Sequence, residues 1–311
     1  GVRLYGPGAN AAQDIEPEYV AISEDGKTAF VTLQENNAIA IVDIVSAKVT
    51  AIKALGYKDH SLAGMGLDAS DEDGGTNTNS GTAAIKILQR PVRGLYLPDG
   101  IASFSVNGQT YLVTANEGDA RADWPGFNEE TRVRAHCDKG LDPSVFSDAA
   151  NLIFDSNLGR LRITSTPNGG TTGKNAAGLC TELYAFGARS FSIWDSNLNR
   201  VYDSGDQFEQ RTIALPNVLF NASNDNNTLD ARSPNKGPEP EGVVVGRFGS
   251  KQFAFIGLER VGGVMADERA DVAVHAGDLV EASLRGLAGG DLAAGQPGGE
   301  FGNGETMEHG T

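Results

Sequence analysis

Short apolar runs rich in β-branched and aromatic residues recur along the chain, separated by glycine, asparagine and aspartate. The runs are TAFVTL, AIAIVDI, TYLVTAN, SFSIWD, GVVVG and FAFIGL. Runs of this length, bounded by turn-forming residues, predict strands joined by tight turns. SEDGKT and VNGQT predict type I′ hairpin turns, because Asp-Gly and Asn-Gly accept the positive φ angles of that turn. Helical periodicity is weak before about residue 265, so the chain is predicted to be all-β.

One supersecondary unit occurs three times in this pattern. Each copy starts with an acid directly after a proline, continues as strand, turn and strand, and closes on a glutamate 17 or 18 positions later. The first acids are Glu18, Asp99 and Glu241. The closing acids are Glu35, Glu117 and Glu259. Self-similarity of this kind predicts repeated structural units, and hairpin units repeated around an axis form a β-propeller.

The six acids of the repeat are candidate metal ligands, and we call them the carboxylate rim. A proline at the start of a strand fixes φ and needs no ladder hydrogen bond, so the acid after it projects from a rigid position. In a propeller the six carboxylates would converge on one end of the central channel. Ca²⁺ binds roughly six to eight oxygens, which makes it the expected ion, with another divalent or trivalent metal as an alternative. Solvated strand ends without a metal are the competing interpretation.

A second candidate calcium loop lies in DASDEDGGTN, where Asp68, Asp71 and Asp73 precede a glycine turn. Closely spaced aspartates on such a turn are typical of Ca²⁺ loops. The twelve-residue pattern and closing glutamate of an EF-hand are missing from the sequence. A solvated acidic loop is the alternative.

Composition and charge narrow the function. The 311-residue chain has a formal net charge of −16, which argues against binding to nucleic acid or to an anionic membrane. It contains no apolar run of the ~18 residues expected of a transmembrane helix. Cys137 and Cys180 predict either a disulfide in an exported protein or two free thiols.

Several longer blocks carry a family resemblance. They include GPGANAAQDIEPEYVAISEDGKTAFVTLQENNAIAIVDI, YLVTANEGDAR, GFNEETRV, ELYAFGARSFSIWD and SPNKGPEPEGVVVG. Over roughly residues 1–265 the chain resembles the choice-of-anchor I family. These are secreted bacterial proteins, similar to the mesenchyme-specific surface glycoproteins of echinoderm biomineralisation, and they are often labelled alkaline phosphatase-like. The resemblance implies a secreted, periplasmic or cell-surface β-propeller that associates with calcium. Its expected partners are a phosphoester, a mineral or a glycan.

The resemblance also implies two departures. Family members carry further propeller blades before the point equivalent to Gly1, so residues 1–265 are expected to form an incomplete propeller. Residues 266–311 are rich in alanine, glycine and glutamate without clean alternation. We expect them to be a low-complexity or aberrant tail, with disorder as one interpretation.

Three functions stay open at this point. The first is an extracellular calcium-binding surface or matrix protein. The second is a metal-dependent phosphomonoesterase using carboxylate-bound calcium, with Arg121 or Arg189 balancing the phosphate charge as catalytic candidates. For Arg121, internal pairing with nearby acids is the alternative. The third is an inert scaffold without metal. The sequence contains no G-x-S-x-G motif, and its four histidines are scattered, which argues against a serine or a zinc hydrolase.

Overall fold

A computed structural model describes residues 1–74, 81–122, 124–166, 172–215 and 218–267 of the chain. Within these residues the fold is all-β, with four mostly antiparallel sheets, none closed into a barrel, and four short helices. The strands are β1 Pro17–Ile22, β2 Thr28–Leu33, β3 Ala38–Asp43, β4 Lys48–Ala54, β5 Tyr57–Asp59, β6 Arg93–Leu95, β7 Ile101–Val106, β8 Gln109–Asn116, β9 Glu130–Arg132, β10 Arg162–Thr164, β11 Tyr184–Ala185, β12 Ser190–Asp195, β13 Arg200–Asp203, β14 Pro240–Phe248, β15 Lys251–Leu258 and β16 Val264–Asp267. The helices are α1 Ala11–Asp14, α2 Val133–His136, α3 Ala149–Leu152 and α4 Gln207–Ile213. None of these helices is long and apolar enough to cross a membrane.

Each predicted hairpin forms the edge of a different sheet. Sheet I has the order β1-β2-β3-β4, sheet III β7-β8-β12-β13, and sheet IV β14-β15-β16. Sheet II, of order β5-β6-β11-β10-β9, is built from short strands and contains the one parallel pair among the described strands, β6 with β11. The first strands of the three hairpins lie together, because β7 contacts both β1 and β14.

Two hydrogen bonds fix the contact between these edge strands. The hydroxyl of Ser103 in β7 donates to the carbonyl of Ile22 in β1 over 2.6 Å. The amide of Gly100, just before β7, donates to the carbonyl of Glu241 in β14 over 3.1 Å. Sheets III and IV share one apolar core, with Val113, Phe191 and Ile256 among its buried members.

The predicted strands are confirmed, and so is one of the two predicted turns. Five of the six apolar runs lie within strands, and TAFVTL and SFSIWD coincide with β2 and β12. The sixth, AIAIVDI, extends one residue beyond the end of β3. Asn107 and Gly108 have φ angles of 53° and 76°, the positive values that a type I′ turn requires. The type I′ prediction for SEDGKT is wrong. The connection there spans residues 23–27, of which Gly26 has a positive φ, and the Asp25 carboxylate accepts from the hydroxyl of Ser23 and the amide of Lys27.

The two cysteines form a disulfide. Cys137 follows α2 and Cys180 precedes β11, with their Cα atoms 5.6 Å apart and a sequence separation of 43. Both are buried in the core that includes Phe146, Leu158 and Leu161. The bridge therefore closes a long loop whose apolar side chains belong to the same core.

The last described strand passes the predicted domain boundary. β16 pairs with β15 and ends at Asp267, two residues beyond position 265. The rest of the predicted tail, residues 268–311, lies outside the described residues.

Removing the disulfide should lower the free energy of unfolding. Closing a loop of this length restricts the unfolded chain and stabilises the fold by about 2–4 kcal/mol. We expect the double variant Cys137→Ala/Cys180→Ala to lose about that much in urea titrations. Adding reductant should destabilise the wild type towards the variant and leave the variant unchanged. Equal stability of the two proteins under oxidising conditions would contradict this role.

Candidate metal centre

Hairpin register brings each first acid to the same end as its closing acid. Pro17 pairs with Leu33 in sheet I, and Pro240 pairs with Leu258 in sheet IV. In the middle copy the amide of Asp99 donates to the carbonyl of Ala115 over 3.1 Å. Each proline-linked acid therefore lies beside the end of the second strand, where the closing glutamate follows.

A bulge recurs in two copies directly after the proline. Pro17 and Val20 are three residues apart in β1, while their partners Leu33 and Val31 are two apart in β2. β14 and β15 repeat this register shift between residues 240 and 243. A bulge adds one residue to a strand and re-aims the side chains around it. Glu18 and Glu241 both lie on such a bulge, so they project from equivalent positions.

The residue before the proline is strained in two copies. Leu97 and Glu239 have φ angles of 42° and 51°, a region that non-glycine residues rarely occupy and that a following proline makes less favourable still. Such strain persists where the surroundings over-determine the conformation. Ion pairs of the buried Glu239, described below, provide that constraint in the third copy.

Asp99 is the most acid-crowded carboxylate of the rim. It is 8% exposed, and burial together with the negative charges of Glu117, Glu241 and Glu18 raises its pKa to about 7. Among the described residues its carboxylate makes no ion pair or hydrogen bond. The charges of the other two first acids, Glu18 and Glu241, therefore act on Asp99.

Glu35 lies further along the same rim. Its side chain is 8% exposed, and its Oε2 atom has no hydrogen-bond partner. Burial raises the pKa of Glu35 to about 7, with smaller contributions from Glu16 and Asp119. Burial and the same two acids also raise the pKa of the exposed Glu18, so the rim carries excess negative charge on this side as well.

The other closing acids meet at a third glutamate that the repeat did not single out. Carboxylate oxygens of Glu117, Glu239 and Glu259 lie within 4.8 Å of one another, a spacing that would suit a metal. A lysine ammonium already lies among them, because Nζ of Lys236 is 2.6 Å from Glu117 Oε1 and 3.2 Å from Glu239 Oε2.

Two arginines complete this node. The guanidinium of Arg260 lies 3.2 Å from Glu259 Oε2 and 3.3 Å from Glu239 Oε2, and Arg232 pairs with Glu239 Oε1. Burial lowers the pKa of Lys236, but the charges of Glu239 and Glu117 outweigh it, and the net shift is upward. The lysine thus stays charged, and we interpret the trio as an ion-pair node rather than a metal site. Lys236 and Arg260 thus pair with the closing acids Glu117 and Glu259, whereas no ion pair between described residues reaches Glu18, Asp99 or Glu241.

Two glycines hold the backbone at Glu117. Gly118 and Gly187 have φ angles of 94° and 75°. A Cβ atom on Gly187 would lie 1.9 Å from the carbonyl oxygen of Glu117, and one on Gly118 would lie 2.2 Å from the amide nitrogen of Gly187. The end of β8 therefore touches the segment between β11 and β12 backbone to backbone.

The second predicted calcium loop divides in the structure. Asp68 and Asp73 are buried. Asp71 is partly exposed and pairs with Arg160 through both of its carboxylate oxygens. Asp71 therefore differs from the other two aspartates in its exposure and in its ion pair with an arginine.

Both arginines proposed as catalytic candidates make internal ion pairs. Arg121 is 1% exposed, and its guanidinium binds Asp14 and Glu16. Arg189 is 3% exposed and binds Glu209 together with three backbone carbonyl groups. In these positions the two guanidinium groups hold the fold together, and they face acids rather than a surface open to a phosphate.

Comparison with known proteins identifies the family. The profile of the choice-of-anchor I domain matches residues 1–268. The chain belongs to the choice-of-anchor I family. It is similar to Gigasin-3a of Magallana gigas, with 34% identity over 114 residues that cover 35% of this chain and 38% of that protein. It is also similar to the mesenchyme-specific cell surface glycoprotein of Strongylocentrotus purpuratus, with 26% identity over 292 residues that cover 83% of this chain and 35% of that protein. The chain thus spans little more than a third of the length of these relatives. No solved structure matches.

Removing the ammonium from the ion-pair node should destabilise this choice-of-anchor I chain strongly. Lys236→Met leaves Glu117 and Glu239 buried with one fewer cation, and breaking a buried pair costs about 3–5 kcal/mol. Urea unfolding at pH 8 should show a loss of that order. The loss should shrink towards pH 5, where the unpaired carboxylates take up protons. Lys48→Met, on the exposed face of β4, is the matched control and should change stability by less than about 0.5 kcal/mol. An equally small effect at position 236 would contradict the node.

Glu35→Gln should stabilise the protein at alkaline pH in chelator-treated buffer. The pKa of Glu35 is raised from its ordinary 4.5 to about 7, so the folded state binds the proton more tightly than the unfolded chain. Stability from this group is therefore present below pH 4.5 and is lost as the pH rises to about 7. We expect the variant to gain on the order of 1–3 kcal/mol at pH 8 and nothing at pH 4. Glu24→Gln, in the exposed β1–β2 connection, should show no such pH dependence. If the free energy of unfolding of Glu35→Gln changed with pH in parallel with that of the wild type, the prediction would be wrong.

Proposed function

We propose that the chain is an extracellular surface protein whose carboxylate rim binds Ca²⁺. Family membership and the printed description of one relative as a cell surface glycoprotein support the location. The buried disulfide between Cys137 and Cys180 supports it independently, because such bridges form and persist in oxidising compartments. The net charge of −16 also suits a protein that collects cations.

The propeller is part of the same proposal. Sheets I, III and IV each have a repeat hairpin at one edge, and the edge strand of each lies against that of another sheet. This is the relation expected of neighbouring blades whose innermost strands surround an axis. The first acids would then face the channel from successive blades.

Asp99 carries the calcium proposal. It is nearly buried, and no described cation pairs with it, while Lys236 pairs with the neighbouring Glu117. Keeping several carboxylates charged where each acts on the pKa of Asp99 is unfavourable unless a cation lies among them. Oxygen-only ligands favour a hard cation, and Ca²⁺ tolerates the irregular geometry that carboxylates from three separate hairpins provide. Glu18 and Glu241 would supply the remaining charged oxygens.

An ion held in this way would have a definite role. Glu18 is exposed and Glu241 is half-buried, so the rim reaches the surface of the protein. Calcium there would keep positions for water that an oxyanion can replace, which fits an anionic partner such as a mineral surface or an acidic glycan. Because Arg121 and Arg189 are engaged internally, the phosphomonoesterase interpretation has less support.

The proposal is tested by calorimetric titration of chelator-treated protein with CaCl₂. We expect Asp99→Asn to weaken binding at the rim about tenfold or more, since a charged ligand is lost. Binding should strengthen from pH 6 to pH 8, because the Asp99 carboxyl, whose pKa is about 7, must lose its proton to bind the ion.

Glu24→Gln serves as the control, because it removes one carboxylate from the exposed connection between β1 and β2, at the end of that hairpin away from Glu18. Equal affinity in all three proteins would reject the rim as a calcium site. Calcium-dependent hydrolysis of p-nitrophenyl phosphate that disappears in Asp99→Asn would favour the enzyme interpretation instead.

A further inference from the structure

Three aspartates come together inside the protein, away from the rim. Asp68 and Asp73 belong to the second predicted loop, and Asp230 comes from the segment before β14. Their exposed fractions are 0%, 2% and 0%. We call them the aspartate cluster. Sequence analysis identified the first two and did not include the third.

The cluster contains carboxylate oxygens that nothing in the described chain satisfies. Oδ2 of Asp73 and Oδ2 of Asp230 have no hydrogen-bond partner. The other oxygens are used, since Asp73 Oδ1 accepts from the amide of Ala84 and Asp230 Oδ1 accepts from the hydroxyl of Ser233. Buried polar atoms in folded proteins are nearly always bonded, and a buried carboxylate left unpaired is costly. Two such atoms in one cluster therefore point to a missing ligand.

The aspartates lie within each other's electric fields. Burial raises the pKa of Asp230 to about 8, and Asp68 and Asp73 add to the shift. Burial also raises the pKa of Asp68 to about 7, with Glu209 and Asp73 contributing. The three carboxylates thus share one buried pocket of negative potential.

The cations nearby form no ion pair with the cluster. Arg189 binds Glu209, and Arg160 binds Asp71. Lys86 donates its ammonium to the backbone carbonyl of Asp73, and Arg90 donates to Asn157 while its Nε is buried without a partner. Burial raises the pKa of Asp73, and the charges of Lys86 and Arg90 oppose that rise without cancelling it. Among the described residues, no ion pair reaches any carboxylate of the cluster, in contrast to the node around Lys236.

A third buried oxygen belongs to the same network. The amide nitrogen of Asn221 donates to Glu209 and to the hydroxyl of Ser233, which in turn donates to Asp230. These bonds fix the orientation of the Asn221 amide and leave its Oδ1 buried without a partner. A neutral oxygen beside charged carboxylates is a common component of calcium coordination.

We propose that Asp68, Asp73 and Asp230 form a second, buried site for a hard divalent cation, with Ca²⁺ as the best fit. The donors are all oxygens, which disfavours zinc and other softer metals. The aspartates do not approach each other as closely as Glu117, Glu239 and Glu259, which alone among the described carboxylates converge within 4.8 Å. Because oxygens bound directly to one Ca²⁺ lie within about 5 Å of one another, water would link the ion to at least one of the three aspartates, and calcium shells commonly include such waters. The ion would tie the loop after residue 67 to the segment before β14.

Metal content and melting temperature test the proposal on the full chain. Wild type and Asp230→Asn are equilibrated with Ca²⁺ at pH 7.5, and their calcium content is measured by equilibrium dialysis and elemental analysis. The variant should bind one Ca²⁺ per chain fewer than the wild type. That variant should also lose at least half of the rise in melting temperature that Ca²⁺ gives the wild type. Asp225→Asn is the matched control, because Asp225 is exposed in the same segment, with 78% of its side chain accessible.

The two proposed calcium sites fail in different ways. If the rim binds no ion, the wild type binds one Ca²⁺ per chain. Asp99→Asn then keeps this ion, and Asp230→Asn loses it. If the aspartate cluster binds none, Asp230→Asn keeps the calcium content of the wild type, which overturns the proposal. Asp73→Asn provides the second variant should Asp230→Asn not fold.

Wild-type protein alone offers a further check. Without a metal, the pKa values of Asp68 and Asp230, raised from 3.8 to about 7 and about 8, mean that stability falls as the pH rises from about 4 to about 8. Calcium should remove this fall. A decline with pH that is the same with and without Ca²⁺ at saturating concentration would show that protons, rather than a cation, satisfy the aspartates.

Discussion

The ammonium of Lys236 between Glu117 and Glu239 is the contact on which the arrangement of the repeats depends. Glu117 closes the second repeat, and Glu239 precedes the proline of the third, so one side chain joins two sheets. The carbonyl of Glu239 also accepts from the amide of Glu259. A buried charge pair of this kind adds little net stability but is very costly to break. It therefore specifies how sheets III and IV meet, while apolar packing behind it provides most of the stabilisation.

Local pattern was enough to predict the strands and the end of each hairpin where the acids lie. A spacing of 17 or 18 positions places each first acid beside the end of the second strand, where its closing acid follows, and this follows from strand periodicity alone. The repeat of the unit is the reason to expect Glu18 and Glu241 near Asp99, and the charges of both act on that residue. The role of Lys236 was not, because its partner Glu117 is far away in sequence and depends on how the sheets pack.

The same limit explains the aspartate cluster. Asp68 and Asp73 could be singled out from their spacing on a glycine turn, but spacing could not show that Asp71 would pair with Arg160. Asp230 carries no local signal, since a single aspartate in a polar segment is ordinary. Its proximity to the loop arises from long-range packing. For the same reason, only the three-dimensional structure shows that one of its carboxylate oxygens has no hydrogen-bond partner. The prediction of a type I′ turn between β1 and β2 was wrong for a local reason, because the Asp25 side chain competes with the tight turn for backbone amides.

The contact between Gly118 and Gly187 limits which residues can stand at these two positions. An added methyl group at either position would collide with backbone atoms, and a backbone cannot move aside as the tip of a long side chain can. The two glycines have no conservative replacement, because even alanine would separate the end of β8 from the segment before β12 and carry Glu117 away from its neighbours. The position of a buried charge in this protein is thus set by the absence of two methyl groups from the backbone beside it.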